Sequence, residues 1–275
     1  MLLHLHPVQF LIPHLFFVVK SLRHLLAFAA LFATSLAGAA ELTVFAAASL
    51  SDAFKEIAPL YTKATGDTLR FNFGASGALA RQIKEGAPAD VIFSADELRM
   101  DQLEKDGLLL AGTRRTLLAN TLVLVVASDN TTVTAFADLT KPTVRRVVFG
   151  DPATVPVGTY AKKYLEPLGL WEPLQPKSVF VDNVRAVLAA VEAGNADAGM
   201  VYQTDALISK KVKVAIAVSQ ADGPPITYPA AVVKDSKSPE AAKKFVLWLA
   251  GAEARAVFTK YGFLGGATSP SSAAH

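Results

Sequence analysis

Short apolar strand patterns lead directly into helical patterns at four places along this chain of 275 residues. The strand patterns cover residues 42–45, 71–73, 147–149 and 179–181, and each is followed by small or polar residues and then by helix-like periodicity. Such alternation is typical of parallel sheets whose strands are joined by crossover helices. The sequence therefore predicts an α/β fold.

The strand-to-helix junctions also suggest where a ligand would bind. Ser49 stands at the expected N-cap of the first helix with Asp52 in the capping-box position, and Ser76 stands at the start of the second helix. The N-terminus of a helix attracts anions because its free N–H groups and its dipole both favour negative charge. We expect the four junctions to converge on one cleft that suits a small anion.

The first 39 residues have the features of a secretory leader. Lys20 and Arg23 precede the apolar run at residues 25–36, and residues 37–39 are small, as a signal peptidase requires. We expect cleavage after Ala39 or Ala40. Residues 1–19 do not resemble a normal leader, so one hypothesis places the true translation start at Val18 or Val19, and the alternative is a long leader.

Composition excludes several classes of function for the remaining part of the chain. Two of the 27 basic residues lie in the leader, which leaves 25 Lys and Arg against 24 Asp and Glu and gives no support for nucleic-acid binding. No apolar run in residues 40–275 reaches the roughly 20 residues that a membrane span needs. Four of the five histidines lie in the leader and the fifth is His275, which argues against a His-based catalytic triad or zinc site.

The absence of cysteine excludes disulfides, thiol catalysis and a lipid-modified cysteine as a membrane tether. An exported protein without such a tether would diffuse away unless an outer membrane retained it. We therefore expect a periplasmic location.

The length predicts two lobes. Residues 118–127 form a nearly continuous apolar run that predicts one buried strand, and a turn-rich stretch at residues 220–227 predicts a return crossing. We expect a discontinuous first lobe of residues 40–121 and 226–263 and a second lobe of residues 122–225. Residues 264–275 are small and polar and predict a disordered tail.

Eight sequence motifs follow one another over nearly the whole chain after the leader: VFAAASLSDAF, SGALARQI, GAPADVIFSAD, FGDPATVPVGTYAK, DNVRAVLAAVEAG, GMVYQTDA, YPAAVV and KYGF. In this order they together resemble the periplasmic molybdate-binding proteins, the ModA type of substrate-binding protein of ABC importers.

The resemblance implies a bilobal periplasmic binding protein fold of type II, with two parallel or mixed sheets joined by a hinge and the ligand in the cleft. It implies binding of molybdate, and of tungstate, for delivery to an inner-membrane ABC permease by a monomer that is not an enzyme and needs no cofactor. Molybdenum would enter only as the bound molybdate. The implied ligands are the hydroxyl and N–H groups of Ser49 and Ser76, the N–H groups of Val157 and Val184, and the hydroxyl of Tyr202.

A set of neutral donors is complementary to a tetrahedral dianion, which offers only acceptors. Size would then separate molybdate from sulfate. Two departures from the family pattern affect this expectation: Val157 stands where alanine is expected, and Ala75 and Gly77 stand where serines are frequent.

Alternative interpretations remain open at this stage. The two serines could be only N-caps, and Tyr202 could be a core aromatic. The ligand could be sulfate or phosphate. An enzyme on the same fold, such as a dehydratase or lyase, would need a carboxylate or lysine as its acid or base. We interpret three aspartates and one arginine in the motifs as structural rather than ligand-binding: Asp90, Asp96, Asp182 and Arg185.

Overall fold

The structure is a computed structural model, and it describes residues 39–266. Almost all of the predicted leader, and the tail from residue 267, lie outside the described residues. The strands are β1 Glu41–Ala47, β2 Thr68–Gly74, β3 Val91–Phe93, β4 Arg115–Asn120, β5 Leu122–Ala127, β6 Val147–Gly150, β7 Ser178–Val181, β8 Ala198–Tyr202, β9 Val212–Ala217, β10 Ile226–Val232 and β11 Leu264–Gly265. The α-helices are α1 Ser51–Thr65, α2 Ser76–Lys84, α3 Glu97–Lys105, α4 Pro156–Leu165, α5 Trp171–Leu174, α6 Val184–Glu192, α7 Gln203–Leu207, α8 Pro239–Leu249 and α9 Ala252–Lys260.

The strands form two mixed sheets. The first has six strands in the order β11-β4-β10-β3-β1-β2, and the second has five in the order β7-β6-β8-β5-β9. In the first sheet β1 is parallel to β2 and β3, whereas β10 is antiparallel to β3 and β4. In the second sheet β6 is parallel to β7 and β8, whereas β5 is antiparallel to β8 and β9. The predicted α/β class is confirmed.

The chain passes from the first sheet to the second at Thr121. The prediction of one strand through residues 118–127 is wrong, because β4 and β5 belong to different sheets. The side chain of Asn120 explains the break: its Oδ1 accepts the N–H of Thr121 at 2.9 Å, which removes that donor from the strand ladder. Its Nδ2 also donates to Thr204 and Tyr228, so these tertiary contacts hold the crossing point in place.

The chain returns to the first sheet between β9 and β10, at residues 218–225. The first sheet is therefore built from two separate parts of the sequence, and the second from the part between them. The division into two lobes that move on each other stays a prediction.

The predicted tail begins too early. Leu264 and Gly265 form β11, which pairs antiparallel with Ala119 and Leu118 of β4. The small and polar residues around them carry no strand signal, since an edge strand of two residues depends on the neighbour that it pairs with.

The last two helices pack on the first sheet through an aromatic cluster. Phe54 of α1 lies 6.3 Å from Phe245 of α8 and 6.1 Å from Phe258 of α9, measured between ring centroids. All three rings are fully buried, and each such burial contributes about 1.5–3 kcal/mol to stability. This core fixes α1, and with it the turn that follows β1. No helix between residues 39 and 266 is long and apolar enough to cross a membrane.

Candidate functional site

A small cavity lies between the two sheets, where strands from both end. All five residues implied as ligands line it, and none of its lining residues carries a charged side chain. The five are Ser49, Ser76, Val157, Val184 and Tyr202. The space in the cavity that a water-sized sphere can enter is only about 10 Å³, and the cavity is partly open to solvent. The structure thus brings together residues that are up to 153 positions apart in the sequence.

Ser49 lies in a turn of 3-10 helix, Ala48–Leu50, between β1 and α1. The prediction that Ser49 is an N-cap is wrong, because α1 begins only at Ser51 and the side chain of Ser49 makes no capping hydrogen bond. Its Oγ instead lies 3.1 Å from the hydroxyl oxygen of Tyr228, which also accepts from Asn120. Ser49 is therefore held by contacts from β10 and the crossing point, so its hydroxyl has a defined position at the cavity wall.

Ser76 is the first residue of α2 and is fully buried. Its Oγ accepts the backbone N–H of Ala95 at 2.9 Å. The hydroxyl hydrogen is the remaining donor of that group, since a serine hydroxyl donates once and accepts twice. Ser76 can therefore present an O–H donor to the cavity.

Val157 and Val184 both lie in the first turn of a helix. Val157 is the second residue of α4, and Val184 is the first residue of α6. The first four N–H groups of a helix have no acceptor within that helix. Both valines can thus offer backbone donors, and the positive ends of two helix dipoles point at the same cavity.

Tyr202 ends β8 and carries the clearest sign of a missing partner. Its side chain is 1% exposed, and its hydroxyl has no hydrogen-bond partner among the described residues. Burial raises the pKa of this phenol well above its ordinary value, so the group stays protonated and remains a donor. Buried polar groups nearly always have a partner, which makes this hydroxyl a candidate contact for a ligand.

Two of the three aspartates that we interpreted as structural have structural contacts. Asp90 accepts the N–H of Thr43 at 2.8 Å, and Asp96 is the N-cap of α3, where it accepts the N–H of Arg99 at 3.0 Å. Asp182 is exposed.

Arg185 is ion-paired, as expected, but its partners lie on both sides of the cavity. It contacts Asp205 in its own part of the chain and Asp52 on α1. Sequence reasoning missed this bridging, as it missed the support that Tyr228 and Asn120 give to Ser49, because none of these partners is a neighbour in the sequence.

Comparison with known proteins shows which family the chain belongs to. Residues 42–264 match the family described as bacterial extracellular solute-binding protein. The molybdate-binding protein ModA of Escherichia coli K12 is 39% identical over 234 residues, which cover 83% of this chain and 91% of that protein. A putative ABC transporter substrate-binding lipoprotein of Bacillus subtilis 168, YvgL, is 43% identical over 224 residues, which cover 81% of this chain and 85% of YvgL.

A solved structure shows the same architecture. The periplasmic molybdate-binding protein of Azotobacter vinelandii superposes with a TM-score of 0.73 at 26% sequence identity, over 81% of this chain and 98% of that one. The two mixed sheets described above are thus those of a periplasmic binding protein of type II.

Proposed function

The chain belongs to the bacterial extracellular solute-binding proteins and is of the ModA type, and from that premise we propose that it binds molybdate and delivers it to an ABC importer. Its site of action is outside the cytoplasm, in keeping with the family. The proposed ligand is the tetrahedral dianion itself, held by hydrogen bonds from neutral groups.

The observation that carries the proposal is the unpartnered hydroxyl of Tyr202 at a cavity whose lining residues are all uncharged. Leaving a buried donor unpaired costs about 1–3 kcal/mol, and a bound anion would remove this cost. Two serine hydroxyls and the first turns of two helices line the same space and can add further donors. A fully deprotonated oxyanion, which has only acceptors, is the chemical complement of such a site.

We assign five residues to the anion. Ser49 and Ser76 would donate through their hydroxyl and backbone N–H groups, Val157 and Val184 through backbone N–H groups, and Tyr202 through its hydroxyl. A hydrogen bond to a charged group contributes about 1.5–3 kcal/mol, so five residues suffice for tight binding without a lysine or arginine contact.

Calorimetric titration of hydroxyl-deletion variants tests the assignment. Ser49→Ala, Ser76→Ala and Tyr202→Phe should each weaken molybdate binding about 10-fold or more, because each removes one hydrogen bond to a charged group. Ser178→Ala is a matched control, since Ser178 lies on β7 and its hydroxyl donates to the carbonyl of Leu174 on α5 and not to the cavity. Wild-type affinity in all three site variants would contradict the assignment.

The proposal also covers the partner and the location of the protein. The partner would be the inner-membrane permease of the molybdate importer, and the protein would dock as a monomer. We place the protein in the periplasm after removal of the leader, because the 275 residues contain no cysteine to carry a lipid. We propose no catalytic step, since the cavity lining contains no carboxylate, lysine or histidine to act as acid or base.

A further inference from the structure

Arg185 connects the two parts of the chain at the edge of the proposed binding site. It is the second residue of α6, directly after Val184, and its guanidinium has three partners. Nε lies 2.8 Å from Oδ1 of Asp205, Nη1 lies 2.7 Å from Oδ2 of Asp52, and Nη2 donates to the carbonyl oxygen of Ser49 at 3.2 Å.

These partners divide between the two sheets. Asp205 lies on α7, which follows β8 of the second sheet, whereas Ser49 and Asp52 follow β1 of the first sheet. Among the ion pairs of residues 39–266, the pair of Arg185 with Asp52 is the one that joins the two sheets. A hinge motion that separates the sheets would break it and would leave the pair of Arg185 with Asp205 intact.

Asp52 has a second cationic partner besides Arg185. Its Oδ1 binds Lys55 of the same helix at 2.8 Å, and its Oδ2 binds Arg185. Burial alone would raise the pKa of Asp52, but the hydrogen bond from Lys55 and the charge of Arg185 together lower it. If the two sheets separated, Asp52 would keep Lys55 as a cationic partner and would lose Arg185.

We propose that Arg185 is a positioning residue that locks the closed state and so slows the release of the bound anion without touching it. This inference rests on the proposed function. Arg185 binds the carbonyl of Ser49 and directly follows Val184 in the chain, so it couples two of the assigned ligand residues, one from each side. The apparent affinity of a binding protein falls with the fraction of molecules in the binding-competent state, so loss of the lock weakens binding at a distance.

The test uses Asp52→Asn, because this variant keeps the shape of the side chain and leaves Arg185 paired with the buried Asp205. The dissociation rate of radiolabelled molybdate, chased with unlabelled molybdate, should rise about 10-fold. A change of this size lies between the effects of losing an exposed ion pair and of breaking a buried one. Lys55→Met is the matched control, since it removes the other cationic partner of Asp52 and leaves the bridge, and its rate should match that of the wild type. Arg185→Lys should give an intermediate rate, because one ammonium cannot replace the forked contacts of a guanidinium.

Two readouts separate this inference from the proposed function. If the wild type binds molybdate and Asp52→Asn releases it at the wild-type rate, the inference is wrong and the proposed function stands. If the wild type binds no molybdate, the proposed function fails. Small-angle scattering of the ligand-free proteins then tests whether the pair of Arg185 with Asp52 stabilises the closed state. Asp52→Asn should have a larger radius of gyration than Lys55→Met, and equal radii would overturn the inference.

Discussion

Two buried tyrosines that face each other offer a direct test of which hydroxyl serves a ligand and which serves the fold. The rings of Tyr202 and Tyr228 lie 6.0 Å apart between centroids, and both are almost completely buried. The hydroxyl of Tyr228 has two partners, Ser49 and Asn120, each at 3.1 Å, whereas the hydroxyl of Tyr202 has none. The same substitution, Tyr to Phe, should therefore have opposite effects at the two positions.

The expected magnitudes follow from these partners. Tyr228→Phe removes two hydrogen bonds and leaves two buried polar groups with fewer partners, so the free energy of unfolding should fall by about 1–3 kcal/mol. Tyr202→Phe removes an unpaired buried hydroxyl, so the free energy of unfolding of the ligand-free protein should stay unchanged or rise. Its affinity for molybdate should fall about 10- to 150-fold, which corresponds to a loss of about 1.5–3 kcal/mol in binding.

Urea denaturation of the ligand-free proteins and calorimetric titration with molybdate measure the two quantities separately. The reasoning would be refuted if Tyr202→Phe destabilised the ligand-free protein as much as Tyr228→Phe and bound molybdate with wild-type affinity. Tyr202 would then be a core aromatic whose hydroxyl has a structural partner.

Two further predictions concern closure and pH. The N–H of Gly77 on α2 donates to the carbonyl oxygen of Thr154, before α4, at 3.1 Å, and a Cβ on Gly77 would lie 2.4 Å from that oxygen. Gly77→Ala should therefore force the two sides apart and weaken molybdate binding at least about 10-fold in calorimetry. Gly265→Ala, where a Cβ meets nothing within 4 Å, is its control, and equal affinities of the two variants would contradict the account. Burial raises the pKa of Asp205 to about 6 against the opposing charge of Arg185, so the folded state binds this proton more tightly than the unfolded state does. Its contribution to stability should be greatest below about pH 4 and should fall by about 3 kcal/mol as the pH rises to about 6. The free energy of unfolding of Asp205→Asn, measured by denaturation, should lack that decline. The same pH dependence in variant and wild type would refute the prediction.

The sequence could predict the cavity because each of its walls has a local signal. A strand that runs through small residues into a helix can be recognised within about ten residues, and strands of similar direction end at the same edge of a sheet. The pattern alone places Ser76 and Val184 at helix starts and Val157 in a strand-to-helix junction, whereas the roles of the two valines as ligands came from the resemblance to a family. Tyr202 was identified only through the resemblance to a family, since a tyrosine at the end of a strand is equally compatible with a core position.

Features that depend on distant contacts could not be predicted from the sequence. The apolar run at residues 118–127 contains no glycine or proline, and it is broken by contacts of Asn120 with residues 84 and 108 positions away. The contact of Arg185 with the carbonyl of Ser49 joins residues 136 positions apart. Ser49 satisfied the local rule for an N-cap, yet a turn of 3-10 helix moved the start of the helix and left its hydroxyl to Tyr228.

Calorimetric titration of the ligand-stripped protein with molybdate, repeated in a large excess of sulfate, tests the central claim most directly. The account predicts tight binding of one molybdate per chain that persists in the presence of sulfate, because the two dianions offer the same acceptors but differ in size. Absence of heat with molybdate, together with clear binding of sulfate or phosphate, would contradict it and would leave only the fold and the binding of an oxyanion in place.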